Sequence, residues 1–264
     1  MKRMNLPAAV LALLVFHILA NAQIIPLNTG YNHSIPALSA QPTSGVSSII
    51  PDNYWINIAS SFPPGTPATT WVLRTAAAPW LPLPNADWIS ARNTVLSASG
   101  TSNINPSYTI FKKCYCLLPG YQNVDVKFRV RADDHITVWF NDTLHPLLQA
   151  SMGNWNFGQP LNSLPTNSGY FHVGKNCIYV LLEDVGGHMG FTMDGNITAD
   201  WGLLPRPAMG TGQTFEPCTC NTGPTGVASG NPRALARKED GGDEQAVVDA
   251  IIKIAEARRR ERKN

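Results

Sequence analysis

Residues 128–142, FRVRADDHITVWFND, set Asp133, Asp134 and His135 side by side between two alternating apolar runs. Two carboxyls and an imidazole are the parts of general acid–base chemistry, and neighbouring carboxylates also begin a calcium site. Glycosidase chemistry requires two carboxyls about 5 Å or more apart across a scissile bond. Adjacent residues at a turn diverge, so this pair suits that role poorly. Calcium takes roughly six to eight oxygens, and Asp133, Asp134, Asn141 and Asp142 form its candidate ligand set. The remaining role is organisation of the turn, with aspartate oxygens accepting backbone N–H bonds.

A second stretch, LLEDVGGHMGF (181–191), carries Glu183, Asp184 and His188 around a glycine pair. It is not H-E-x-x-H, and its glycines do not lead from a strand into a helix, so neither a zinc protease nor a phosphate loop is supported. No G-x-S-x-G motif occurs, and the histidines do not cluster. The chain therefore reads as non-enzymatic, with calcium the one cofactor in prospect.

Seven tryptophans are many for 264 residues. Alternation puts Trp139 opposite the apolar face of its run, near Arg129 and Arg131. Trp155 stands in the polar stretch GNWNFGQ (153–159). An indole face stacks on guanidinium groups by cation–π contact and on sugar rings in binding modules, so Trp139, Trp155, Arg129 and Arg131 are the candidate glycan-binding residues. The competing reading makes the tryptophans ordinary core and edge packing.

These side chains need strands to position them. From Gln23 to about Leu204, short apolar runs alternate with segments rich in Pro, Gly, Asn, Ser and Thr, without a long 3.6-residue period. This is the pattern of an all-β domain. Candidate strands cover 54–60, 69–74, 107–117, 124–131, 135–141, 169–173, 176–184 and 190–201. They fit a two-sheet antiparallel jelly-roll sandwich. Val124, Val126, Phe128, Val130, Ile136, Val138 and Phe140 are the expected core. Only Ala132 to His135 link the two runs, which places the acidic pair at a hairpin turn.

The flanks read differently. Residues 1–22 have the form of a secretory signal: Lys2 and Arg3, then LPAAVLALLVFHILA, then ANA before Gln23. Export of a mature chain beginning at Gln23, without a transmembrane segment, is the expectation. Residues 205–242 form a Gly/Pro-rich linker containing CTC, and DEQAVVDAIIKIAEARRRERK (243–263) reads as an amphipathic helix with a basic end. Val247, Val248, Ile251, Ile252, Ile254 and Ala255 share its apolar face, which would dock on the body, on a partner or on a second copy; a frayed, solvated tail and a membrane-surface role are the other readings. Residues 23–230 carry nine Lys/Arg against eleven Asp/Glu, a mildly acidic body that argues against nucleic-acid binding.

The cysteines are Cys114, Cys116, Cys177, Cys218 and Cys220. In an exported chain they point to disulfides, and joining CYC (114–116) to CTC (218–220) would pin the linker to the sandwich. A four-thiolate zinc site is the alternative. Cys177, on an alternating strand, reads as a small buried apolar residue or as an intermolecular link.

The stretch from Trp80 to Thr198 resembles sandwich domains of exported bacterial proteins of the PEP-CTERM type, similar to galactose-binding-like and carbohydrate-binding-module jelly rolls. The residues that carry the resemblance are APWLPLPNADWIS (78–90), YTIFKK (108–113), VDVKFRVRADDHITVWFND (124–142), GYFHVGKNCIYVLLEDVGGHMGF (169–191) and MDGNITA (193–199). The resemblance implies a bacterial source and a binding or accessory module. Taken together, the readings favour a secreted, non-catalytic glycan-binding module. A structural or assembly protein of the cell surface is the alternative, and a hydrolase the weakest reading.

Overall fold

A strand that alternates apolar and polar residues must lay one face on other apolar surface, and two sheets can satisfy each other by packing face to face. The computed structural model of this chain has that arrangement. It describes residues 23–30, 50–51, 55–61, 71–73, 80–81, 83–91, 107–152, 159–185, 189–204 and 242–262. With strands numbered in chain order, the first sheet holds β1 (Gln23–Pro26), β2 (Ile50–Pro51), β4 (Trp71–Leu73), β5 (Trp88–Ser90), β7 (Asp125–Asp133), β10 (Leu161–Asn162) and β12 (Gly190–Ala199). Their order is β10-β7-β12-β5-β4-β2, with β1 also paired to β12. The second sheet holds β3 (Ile56–Ser60), β6 (Ser107–Gln122), β8 (His135–Phe140), β9 (Pro146–Met152), β11 (Gly174–Asp184) and β13 (Trp201–Leu204). It runs β13-β6-β11-β8-β9, with β3 also on β6. The all-β sandwich read from the sequence is the fold.

Between the sheets lie Val126, Phe128 and Val130 from β7, Phe191, Met193 and Ile197 from β12, Ile136, Val138 and Phe140 from β8, and Ile178, Val180 and Leu182 from β11. Six of the seven expected core residues are fully or nearly buried there, and Val124 packs against them. The segment expected as a strand at 169–173 instead contains a 3-10 turn, Ser168–Tyr170, capped by Asn167, whose side chain accepts from the Gly169 amide. Phe171 enters the core just after it.

The hairpin expectation is overturned. β7 belongs to the first sheet and β8 to the second, so the chain crosses between sheets at Asp134. Alternation cannot separate the two cases: apolar faces meet whether the strands lie side by side or face each other across the core. As a result Arg129 and Arg131 lie on the outer face of one sheet, while Trp139 lies on the outer face of the other.

That second outer face is covered. The helix α1 (Gly242–Glu261) lays Val248, Ile251 and Ala255 on Tyr108, Ile110, Trp139, Tyr179 and Leu181, with Val247, Ile252 and Ile254 at the margins. All six residues expected on its apolar face belong to this cluster or pack against it, so the helix docks on its own chain. Trp139 is 5% exposed and cannot offer its ring to a sugar, because the helix occupies the space a ligand would need. At one end Glu244 binds Lys112 and Lys175. At the other, buried Glu183 binds Arg258 at 2.9 Å and Arg262 at 3.2 Å. Among the described residues no helix is long and apolar enough to cross a membrane.

The cysteine pairing also departs from expectation. Cys114 and Cys177 stand directly opposite on β6 and β11 and form a disulfide with Cα atoms 4.1 Å apart. Cys177 is therefore not a simple buried thiol, and Cys114 does not pair with CTC. Strand register, which local sequence does not encode, made the choice. Cys116 is disulfide-bonded as well, which removes the thiolates a zinc site would need. Cys218 and Cys220 lie outside the described residues.

Two measurements check the helix interface. Trp139→Ala is expected to cost about 3–5 kcal/mol in urea unfolding, as for a buried aromatic residue. Glu244 titrates below the ordinary glutamate range: burial raises it, but hydrogen bonds and charge from Lys112 and Lys175 outweigh that. Its folded pKa is thus depressed, so its stabilising contribution is present above about pH 4 and is lost as pH falls through the lowered value. The thermal midpoint of Glu244→Gln should accordingly lie below wild type at pH 7 and converge with it on acidification.

Candidate functional site

Two sheet-to-sheet crossings sit side by side at one end of the sandwich. One runs from β7 to β8 through Asp133 and Asp134; the other leaves β11 at Asp184 and enters β12 at Gly190. Register brings them together, because Gly190 pairs with Asp133 and Glu183 with His135. Ser107, at the start of β6, pairs with Asp184, and Met152, at the end of β9, pairs with His135. Acidic residues far apart in sequence thus gather at one rim.

Asp133 is 7% exposed and accepts a 2.9 Å hydrogen bond from the Trp80 indole Nε1. The Trp80 ring stacks on Trp88, with centroids 4.5 Å apart, and lies over Gly190, where a Cβ would come within 3.2 Å of the indole. Glycine at that position lets the indole reach the carboxyl. Asp134 Oδ2 accepts from the Val185 amide at 2.7 Å, and the Asp134 amide donates to the Glu183 carbonyl at 3.4 Å. The Ser107 hydroxyl donates to Asp184 at 3.4 Å. The peptide bond between Asp133 and Asp134 is cis.

The Asp133 pKa is pushed up to about 8, first by burial and then by a hydrogen bond shared with the Asp134 carboxyl, with the charges of Asp134 and Asp184 adding to it. Two carboxyls in such contact are too close for the glycosidase arrangement, which needs about 5 Å or more. Both are oxygen donors, the ligand type that a hard cation takes. Among the described residues no three His, Cys, Asp or Glu side chains form a metal-ligand group, so the chain would supply two carboxylates and leave other positions open. His135 is held below the ordinary histidine range, chiefly by burial and then by the Arg262 guanidinium. A neutral imidazole there adds no positive charge against a cation.

Of the sequence-derived ligand set only Asp133 and Asp134 meet. Asn141 and Asp142 stand at the other end of β8. Asn141 donates to the Tyr170 carbonyl and to Asn176 Oδ1 and accepts from the Cys177 amide, while Asp142 accepts from the Leu144 and His145 amides. Both are occupied in turn structure, and the length of a strand separates them from the acidic pair. The glycan set is likewise divided. Arg129 is paired with Asp194 at 2.8 Å on the outer face of the first sheet, Arg131 shares that face, Trp139 lies under the helix, and Trp155 lies outside the described residues.

Sequence reasoning passed over Trp80, which aims at Asp133, and Arg258 and Arg262, which hold Glu183. One local signal existed: Arg258 and Arg262 continue the helix stripe of Val248, Ile251 and Ala255 at the same spacing, so an acid was due on the surface beneath them.

No family model matches the chain, and no curated protein matches it. Three solved structures show partial likeness. A PA14 sugar-binding domain from an RTX adhesin is 15% identical with a TM-score of 0.24, over 41% of this chain and 60% of that one. The PA14 domain of the antifreeze protein MpAFP is 14% identical with a TM-score of 0.26, over 69% and 81%. The GH31 alpha-xylosidase of Xanthomonas citri is 8% identical with a TM-score of 0.23, over 69% of this chain and 20% of that one. The overlaps are partial, and the chemistry of the rim has to be read from its own residues.

Trp80→Phe removes the one indole N–H that Asp133 receives from Trp80 and should destabilise the fold by about 1–3 kcal/mol in equilibrium urea unfolding.

Proposed function

We propose that this chain is an exported, non-catalytic binding module that takes glycan at the Asp133–Asp134 rim in a calcium-dependent way. The observation that carries the reading is the meeting of Asp133, Asp134 and Asp184 where the two sheet-to-sheet crossings lie side by side. The surroundings have the mixture expected of a ligand site, polar groups bordered by apolar ones: Leu81, next to Trp80 in the chain, and Met152, paired with His135, are 46% and 73% exposed. Calcium, when bound, would supply open coordination positions for sugar hydroxyls. The chain's own part is to orient two carboxylates and hold them with Trp80 and the Val185 amide. Export is supported by the signal-like first 22 residues and by the Cys114–Cys177 disulfide, a bond that persists in oxidising compartments.

Glycan arrays probed with the full chain, with calcium and with chelator, test this. Retention is expected only with calcium, and Asp133→Asn or Asp134→Asn should each weaken it at least about tenfold, the scale of a lost charge-assisted contact. Retention indifferent to both calcium and the two substitutions would sink the reading, as would turnover of the retained glycan. A native mass showing stable assemblies and no glycan retention would favour the structural alternative.

A further inference from the structure

We propose that the first turns of the C-terminal helix are a latch over the Cys114–Cys177 disulfide, so that the bond exchanges with thiols only when the helix lifts. The disulfide lies on the outer face of the second sheet, not between the sheets. Cys177, 5% exposed, belongs to the apolar cluster formed with Val248, Ile251 and Ala255 of the helix, and Cys114 packs against that cluster.

Strand register fixes what stands above the bond. Along β6 and β11, Cys114 is opposite Cys177, Lys112 is opposite Tyr179 and Cys116 is opposite Lys175. Alternate residues of a strand share a face. Lys112 therefore stands two residues to one side of the disulfide on β6, and Lys175 two residues to the other side on β11. The diagonal between the two lysines crosses the disulfide. Glu244, near the start of the helix, binds both, one through each carboxylate oxygen. A single carboxylate spanning that diagonal sets the opening of the helix above the sulfurs, with Val247 and Val248 following it.

Exchange begins when a thiolate adds to one sulfur and expels the other cysteine as a thiolate, leaving a mixed disulfide. A second thiol releases the first. Two reductant thiols become one disulfide, and Cys114 and Cys177 take up the two electrons and two protons. Lys112 and Lys175 alone would promote this, because positive charge draws thiolates in and stabilises the departing one. Glu244 cancels that field and turns a negative charge toward the incoming anion. The helix thus closes the bond by covering it and by repulsion.

Reduction of the full-length chain under native conditions, quenched by alkylation and read by mass spectrometry of the peptides holding Cys114 and Cys177, tests the latch. Val248→Ala/Ile251→Ala removes apolar contact from the helix and should speed reduction at least about tenfold. In wild type the rate should rise with urea less steeply than global unfolding does, as for a local opening. The charge is read by comparing 3-mercaptopropionate, whose thiolate form is a dianion, with cysteamine, whose thiolate form has no net charge. Glu244→Gln should raise the rate ratio of the first to the second roughly three- to tenfold, the scale of one unit charge removed a few ångströms away in a water-like, partly screened setting. Looser docking alone would speed both reagents equally. Arg262→Ala, at the far end of the helix, should leave the ratio within about twofold. An unchanged ratio in Glu244→Gln, an unchanged rate in the folded double variant, or a wild-type urea slope equal to that of global unfolding overturns the proposal. Where the double variant does not fold, Val248→Ala alone is held to the same criterion.

Discussion

β11 is buried along both of its faces, and the rest of the molecule is arranged around that constraint. From Asn176 to Asp184 every residue is buried: Ile178, Val180 and Leu182 face the opposing sheet, whereas Cys177, Tyr179 and Leu181 face the helix. A sheet in a two-layer sandwich normally leaves its outer face to water. Here that face carries Tyr108, Ile110, Trp139, Tyr179 and Leu181, which without a cover would form an apolar patch of the kind that drives association. The helix is that cover, and three layers result.

The double burial also explains the ion pairs. Glu183 lies on the covered face, at the point where β11 leaves the sandwich, and a carboxylate there can remain charged only if cations accompany it. Arg258 and Arg262 do so from the last turns of the helix, where positive charge also complements the helix dipole. Glu244 does the reverse at the other end, between Lys112 and Lys175. The helix is thus held along its length by apolar contact and fixed in direction by charges of opposite sign at its two ends. The next residue along β11, Asp184, turns toward the acidic rim. The helix and the candidate site therefore meet through consecutive residues of one strand.

Much of the sandwich was legible because burial on one face writes a period of two into the sequence. Val126, Phe128, Val130, Ile136, Val138 and Phe140 declared themselves as core in this way, and the stripe of Val248, Ile251 and Ala255 declared the helix. The acidic pair was visible as a chemical oddity, though its setting was not. Whether β7 and β8 form a hairpin or cross between sheets leaves their alternation unchanged, and so the position of Trp139 relative to Arg129 and Arg131 was beyond local reading. Trp139 itself was correctly placed on an outward face. What the alternation of β8 could not register was a helix arriving there from more than one hundred residues away in the chain.

The sequence by itself determined the core positions of β7 and β8, that the fold is all-β and that an amphipathic helix follows it, because each of these is set by neighbours within a few residues. The tertiary structure alone decided that Cys114 meets Cys177, that Asn141 and Asp142 stand apart from Asp133 and Asp134, and that Trp80, Asp184 and Val185 gather around the acidic pair. Those outcomes depend on strand register and on the stacking of layers. Both are settled by the joint packing of segments distant in sequence, which no local pattern records.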